Sequence, residues 1–203
     1  MTPVSLEGKR FALFPFTEQH ITESYLRWLN DPGVNRFLEV RFVPQTRETT
    51  LAYVRSFYGS EEKYMWSVHP RGRAEPIGTS TLAYIARHHG SGVIGLMIGD
   101  RSFWGKGASD EAIELIAQFA FERLGLRRLM ATSVALNHGM NFTFNRLGFT
   151  LEGKLREACC VRPGAYADVF SWGLLAREWK DRRHEYCDVD TSGGHRRVES
   201  QKI

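Results

Sequence analysis

Residues Val93 to Glu114, VIGLMIGDRSFWGKGASDEAIE, constrain the chain more than any other stretch. An apolar run of strand length hands over to an amphipathic helix through a turn that holds Gly105 and Gly107. Glycine lets backbone N–H groups approach an anion that a Cβ would hold off, and a helix N-terminus adds a field favourable to negative charge. A strand, a glycine turn and a helix in this order make a candidate anion site.

Around this stretch the chain reads as alternating strands and helices. Phe-rich Arg10–Phe16 predicts a first strand, and Ile21, Tyr25, Trp28 and Leu29 give a helix over about 18–29. Asn30-Asp31-Pro32-Gly33 stops it; a short helical turn follows near 34–38, and a further helix spans 46–58. Residues 65–69, 77–87 and 92–100 read as three strands, the last two joined through the hairpin-like RHHGSG. The helix over 108–124 carries Ala112, Ile113, Ile116, Phe119 and Ala120 on one stripe and stops at Gly125. A strand over 128–136, a short helix from Asn137 to Leu147, and strands over 149–155 and 165–174 complete the order. Hairpins join some strands and helices separate others, so the expected fold is a mixed α/β sheet flanked by helices. A final helical turn near 178–184 closes a single domain over 1–184, and the apolar-poor residues 185–203 are expected to form a flexible tail.

Composition excludes several classes. The chain has 203 residues, 42% hydrophobic and 25% charged, which suits one soluble core. Its net charge of +4 is too mild for the basic stripe of a nucleic-acid binder. No signal-peptide h-region and no run of membrane-spanning length is present. Cys159, Cys160 and Cys187 are odd in number and two are adjacent, which argues against a disulfide framework and for a cytoplasmic protein. No Cys/His spacing suggests a metal site.

Three features taken together carry a resemblance: the turn Gly105-Lys106-Gly107-Ala108 between strand and helix, Asn137 followed by Gly148-Phe149, and the ending LEGKLREACCVRPGAYADVFSWGLLAREW over 151–179. The chain resembles the GNAT acetyltransferase superfamily, within it the Rim-type branch that acetylates ribosomal-protein N-termini. The resemblance implies a mostly antiparallel sheet of six or seven strands, splayed in the middle, with acetyl-CoA in the opening. It implies that the strand around Leu96, Met97 and Ile98 offers backbone groups to the pantetheine arm. Phe103, Trp104, Gly105, Lys106, Gly107 and Ala108 would supply the pyrophosphate cradle, and Arg101 or Lys106 would touch a phosphate. Asn137 would bond near the thioester, and it is also a natural helix N-cap. Phe144 would stand by the cofactor where many members carry a Tyr.

The chain departs from that pattern where chemistry is done. Ser102 stands where the turn usually begins with Gln or Arg, and Phe144 cannot donate a proton as the usual Tyr does. Met140 and Cys159 occupy the positions of a Ser and a Glu in the Rim-type enzymes. A proton acceptor is still needed, because an amine of pKa about 10 is only about 0.1% neutral at pH 7. Glu39, Asp168 and Glu157 are the carboxylate candidates, with Tyr166 as an acid or substrate contact. The departures favour a less basic amine on a small molecule, such as a nucleotide-linked amino sugar. A peptide N-terminus as acceptor, or a CoA-binding module without catalysis, are the alternatives. No nucleic acid or membrane partner is expected, and the chain is expected to be a monomer or homodimer.

Overall fold

Alternation along the strands sorts the apolar residues onto two faces of one sheet, and each face recruits its own helices. The computed structural model describes residues 4–179. Its strands are β1 (Leu6–Glu7), β2 (Phe11–Pro15), β3 (Tyr64–Pro70), β4 (Gly78–Ala86), β5 (Ser91–Ile98), β6 (Arg128–Val134), β7 (Thr150–Arg162) and β8 (Ala165–Leu175). They form one eight-stranded sheet in the order β1-β2-β3-β4-β5-β6-β8-β7. The helices are α1 (Glu23–Asn30), α2 (Pro32–Asn35), α3 (Arg47–Arg55), α4 (Ala108–Gln118) and α5 (His138–Arg146).

On β3, Tyr64, Trp66 and Val68 face the main core with Ile113, Ile116 and Phe119 from the α4 side. Met65 of β3 and Met97 of β5 face the other way, into a smaller cluster with Tyr25, Leu29 and Val54 of α1 and α3. One sheet therefore carries two cores.

The mixed, mostly antiparallel sheet matches the expected class, with one strand more than the six or seven anticipated. The extra strand is β1, two residues paired Leu6↔Leu13 and Glu7↔Ala12, too short to leave a periodic signal. The first helix begins at Glu23 and not at Glu18, because the Tyr25 N–H donates to the Thr22 hydroxyl while Thr17 caps a separate 3-10 turn. Residues 30–33, expected only to stop a helix, also start α2: the Asp31 carboxylate accepts from Gly33 N–H and Pro32 occupies the first turn. Helix α4 ends in a π turn over Phe119–Arg123 before Gly125. Strand β7 runs on to Arg162, seven residues beyond expectation at Leu155, because register shifts hide its alternation. Glu157 lies in the shift between Leu155 and Cys159 with φ +52°, an uncommon conformation for a non-glycine residue. The expected tail over 185–203, most of the last helical turn, and Cys187 lie outside the described residues.

The decisive feature is the one parallel contact. Strand β5 pairs with β6 through Ser91↔Arg128, Gly92↔Leu129 and Val93↔Met130, and no further. Strand β4 holds β5 as far as Gly78↔Ile98, and β8 holds β6 as far as Val134↔Val169. Beyond Val93 and Met130 the two strands belong to different halves of the sheet, and a wedge opens between them.

The N-terminal strand is tied to this centre by Glu111 on the first turn of α4. Its Oε1 accepts from Arg10 N–H at 2.7 Å and Phe11 N–H at 3.1 Å, and its side chain is 12% exposed. Removing the carboxylate strands two backbone donors. Glu111→Ala should lower the unfolding free energy by about 2–3 kcal/mol, and Glu111→Gln by less, since the amide oxygen still accepts. Urea denaturation of the three proteins checks the ranking.

Candidate functional site

The wedge is lined by backbone whose hydrogen bonds the sheet leaves open. Backbone direction alternates along a strand, so every second residue of β5 faces β4 and the others face β6. The carbonyls of Gly95 and Met97 lie on the β4 side: the Ser80 hydroxyl donates to Gly95 at 2.8 Å, and a Cβ on Gly78 would collide with Met97 O. Leu96 and Ile98 therefore turn their peptide groups into the wedge. Met97, expected to join them, does not, because its backbone faces β4 and its side chain is buried toward α1 and α3. The Ile98 carbonyl is already taken by the Trp104 indole N–H at 2.8 Å.

That indole bond is the first of several that hold the turn. Asp100 accepts from Ser102 N–H at 3.0 Å and Ser102 Oγ at 2.7 Å, which draws its pKa below the ordinary value against the cost of burial. Phe103 packs edge-on against Phe11 at 6.2 Å. Arg10 Nη1 donates to the Lys106 carbonyl at 3.0 Å. Gly105 and Gly107 have φ of +70° and +79°, and a Cβ on Gly107 would stand 2.5 Å from Arg10 Nη2. Gly107 is the N-cap of α4 and offers no side-chain acceptor, so the amides of Ala108 and Ser109 begin the helix with no intrahelical carbonyl in reach. Gly105, Gly107, Ala108 and the open β5 edge form a fixed cradle of N–H groups. These residues fit a ligand that carries amides at one end and phosphates at the other.

The cations divide. The Lys106 ammonium lies over the Phe103 ring at 5.7 Å and has no carboxylate partner among the described residues. Arg101, expected at a phosphate, instead donates through Nη2 to both oxygens of Asp31 at 2.7 Å, pinning the start of α2 beside the turn. Arg10 was not anticipated. Nothing in its spacing from Gly107 connects them, and only the course of β2 past α4 brings them together.

The other bank of the wedge is the end of β6 and the start of α5. Asn137 caps α5: its Oδ1 accepts from Met140 N–H at 3.3 Å. Its amide N–H groups have no partner among the described residues. Asn141, also unforeseen, donates to the Ala135 carbonyl at 2.9 Å and accepts from Ser133 Oγ at 2.5 Å, while the Trp172 indole donates to Ser133 Oγ at 2.8 Å. This chain of bonds closes off the end of β6. Phe144 is buried, at 3% exposure, between Phe149 and Trp172 with ring centroids at 5.1 and 5.9 Å. Its surface goes to the core and leaves almost none for a cofactor.

Of the carboxylates, Glu39 is exposed at the start of a 3-10 turn, Glu39–Phe42, with no ion pair among the described residues. This segment stands against the β7–β8 hairpin, where Phe37 packs on Val134, Cys159 and Ala167. Tyr166 lies on the same hairpin, 59% exposed and paired across the strands with Cys160. Asp168 is committed elsewhere. Its Oδ2 bonds to Lys154 Nζ at 2.7 Å and its Oδ1 accepts from Glu157 N–H at 2.9 Å, so it anchors the strained bulge. The Lys154 bond, then the Glu157 amide, hold its pKa below the usual carboxylate range, which makes it a poor proton acceptor. Glu157 is exposed and serves the bulge through its amide. Cys159 is buried and Cys160 faces the opposite side, as adjacent strand positions must. No group of three or more His, Cys, Asp or Glu among the described residues could hold a metal, and no described helix is long and apolar enough to cross a membrane.

The acetyltransferase (GNAT) domain profile matches residues 10–150. An uncharacterised N-acetyltransferase of Bacillus licheniformis, p20, is 28% identical over 156 residues, which cover 75% of this chain and 86% of that protein. An uncharacterised N-acetyltransferase of Bacillus subtilis, YoaA, is 28% identical over 160 residues, 77% of this chain and 88% of that protein. The fold is also that of RimL, a ribosomal L7/L12 alpha-N-protein acetyltransferase solved with coenzyme A. It matches with a TM-score of 0.72 and 20% identity over 86% of this chain and 97% of RimL.

The Asp168 bond set has a measurable consequence. A carboxylate whose pKa is lowered on folding contributes stability above its unfolded pKa and loses it as pH falls through the folded value. Asp168→Asn should therefore be less stable than the parent by a constant margin above about pH 4, and the margin should close below that. Urea midpoints measured from pH 2 to 7 check this.

Proposed function

The chain belongs to the GNAT acetyltransferase family and is an acyltransferase, and on that footing we propose that it moves the acetyl group of acetyl-CoA to a primary amine of a small molecule, with nucleotide-linked amino sugars as the favoured class. The observation that carries the donor half is the wedge between β5 and β6, continuous with the N–H cradle at the start of α4. Leu96 and Ile98 would pair with the amides of the pantetheine arm. The amides of Gly105, Gly107, Ala108 and Ser109 would hold the pyrophosphate, with Lys106 and Arg10 as the neighbouring cations. Asn137 would donate its free amide hydrogens near the thioester. Acetyl-CoA bound there supplies an acetyl group already activated as a thioester.

The chain's own work is to orient the amine and take its proton. Glu39 is the proposed acceptor of that proton, because it is exposed and unpaired whereas Asp168 is held by Lys154. Tyr166 contacts the acceptor from the facing hairpin. With Phe144 in the core and Met140 at the helix start, neither of these positions supplies the usual acid, and orientation beside the thioester supplies much of the rate. An amine of pKa nearer 8 than 10 eases the demand on the base by about a hundredfold at pH 7. This is the reason for favouring an amino sugar over a lysine or a polyamine.

Following thiol release from acetyl-CoA with nucleotide-linked amino sugars, N-terminal peptides and spermidine tests the reading. The highest kcat/KM is expected for the amino sugar; preference for spermidine ends the sugar assignment, and CoA binding without thiol release from any amine ends the enzyme assignment. Glu39→Gln should lower kcat by about two orders of magnitude with CoA affinity unchanged. The two glycines should differ in CoA affinity measured by calorimetry. Gly105→Ala meets open space and carries only the cost of a left-handed conformation, about 1–2 kcal/mol, whereas Gly107→Ala also displaces the Arg10 guanidinium from the Lys106 carbonyl and should weaken CoA binding more than Gly105→Ala does.

A further inference from the structure

The segment 36–43 and the β7–β8 hairpin form the wall on which Glu39 and Tyr166 stand, and little holds the two together. The backbone bonds within the segment are local: Leu38 N–H donates to Asn35 O, Arg41 N–H to Leu38 O and Val43 N–H to Val40 O. Gln45 ties the segment to α1 through Asn30, away from the hairpin. The hairpin, for its part, projects past the last β6–β8 pair, Val134↔Val169, so residues 156–167 have only each other for strand partners.

Arg41 spans the gap. Its Nη1 donates to Leu38 O at 2.7 Å within the segment, and its Nη2 donates to Cys160 O at 2.7 Å and to Cys159 Sγ at 3.4 Å on β7. The guanidinium is seated over the Phe42 ring at 4.2 Å, which fixes the fork from below. Among the described residues these hydrogen bonds join the segment to the hairpin, and the apolar contact of Phe37 adds to them. Cys160 and Cys159 are the cross-strand partners of Tyr166 and Ala167. One guanidinium thus sets the relation between the turn that carries Glu39 and the strand that carries Tyr166.

We propose that Arg41 is a positioning residue for the acceptor: it latches segment 36–43 to the β7–β8 hairpin and so sets the geometry of the acceptor wall without touching the reacting atoms. This rests on the reading that the acceptor lies between Glu39 and Tyr166. A planar fork is needed, because one group must reach a carbonyl within the segment and a carbonyl and a sulfur across it. Lysine can keep one of these contacts and not all.

The test uses the full chain, with the preferred amine of the panel above as acceptor, and compares Arg41→Ala, Arg41→Lys and Cys159→Ser. Arg41→Ala should raise the acceptor KM about tenfold, the equivalent of losing one charge-assisted hydrogen bond, with kcat changed less than twofold and CoA affinity unchanged. Arg41→Lys should fall between Arg41→Ala and the parent, and Cys159→Ser should stay within twofold of the parent. Amide hydrogen exchange should rise together in residues 36–43 and 156–167 of Arg41→Ala, and not in β5 or α4. Unchanged exchange in those two segments overturns the latch itself. Faster exchange with an unchanged acceptor KM overturns the assignment of this wall to the acceptor, and leaves the donor site untouched.

Discussion

The proposed donor site depends on a hydrogen-bond deficit at the centre of the sheet. A buried backbone N–H or C=O left without a partner costs about 1–3 kcal/mol. Most strands avoid that cost by pairing along their length. Here β5 and β6 pair over three residues and then part, each claimed by its outer neighbour, β4 on one side and β8 on the other. Parallel strands need a crossover, and the α4 crossover between β5 and β6 lands its N-terminus at the open end of the gap. The unpaired edge and the unpaired helix amides are therefore one continuous donor surface.

The surroundings keep that surface from relaxing. Trp104 ties the turn back to Ile98, Arg10 ties it to β2, and Arg101 with Asp31 fastens α2 alongside. On the far bank Asn141, Ser133 and Trp172 close the end of β6. Donors held in place before the ligand arrives lose little entropy when it binds, which is the advantage of building a site from backbone and from side chains locked by neighbours. The proposed acceptor side is built differently. It rests on a 3-10 turn, a projecting hairpin and a strained Glu157, joined through Arg41 and Phe37. A rigid donor site and a thinly braced acceptor wall suit a fold in which the donor is shared and the acceptor varies.

The strand, turn and helix of the proposed donor half were largely legible in the residues. The glycine turn, its strand and its helix are contiguous, so local spacing contains them. Gly105 and Gly107 do adopt the left-handed conformations that their identity suggests, and Asn137 does cap α5. The partners that fix the turn and the far bank were not legible, because Arg10, Asp31 and Trp172 lie tens of residues from what they touch. Two candidates read differently in place. Phe144 sits at the family's Tyr position, yet its ring completes an aromatic cluster with Phe149 and Trp172. Asp168 sits in a motif that invites a catalytic role, yet Lys154 and the Glu157 amide use both its oxygens. Arg101 went to Asp31 and not to a phosphate site for the same kind of reason: a carboxylate from a distant turn was nearer.

By itself the sequence determined the element order, the alternation that divides two cores across one sheet, and the chemistry of the turn, since all of these follow from neighbours within a few residues. The tertiary structure alone decided where the sheet opens, which way each β5 peptide group faces, and which charged side chains remain free. Strand order and register set those outcomes, and register is a property of pairs of strands. A carboxylate is free to accept a proton or is held as an anchor according to what the fold brings within 3 Å of it: Lys154 and the Glu157 amide hold Asp168, and Glu39 has no ion pair among the described residues.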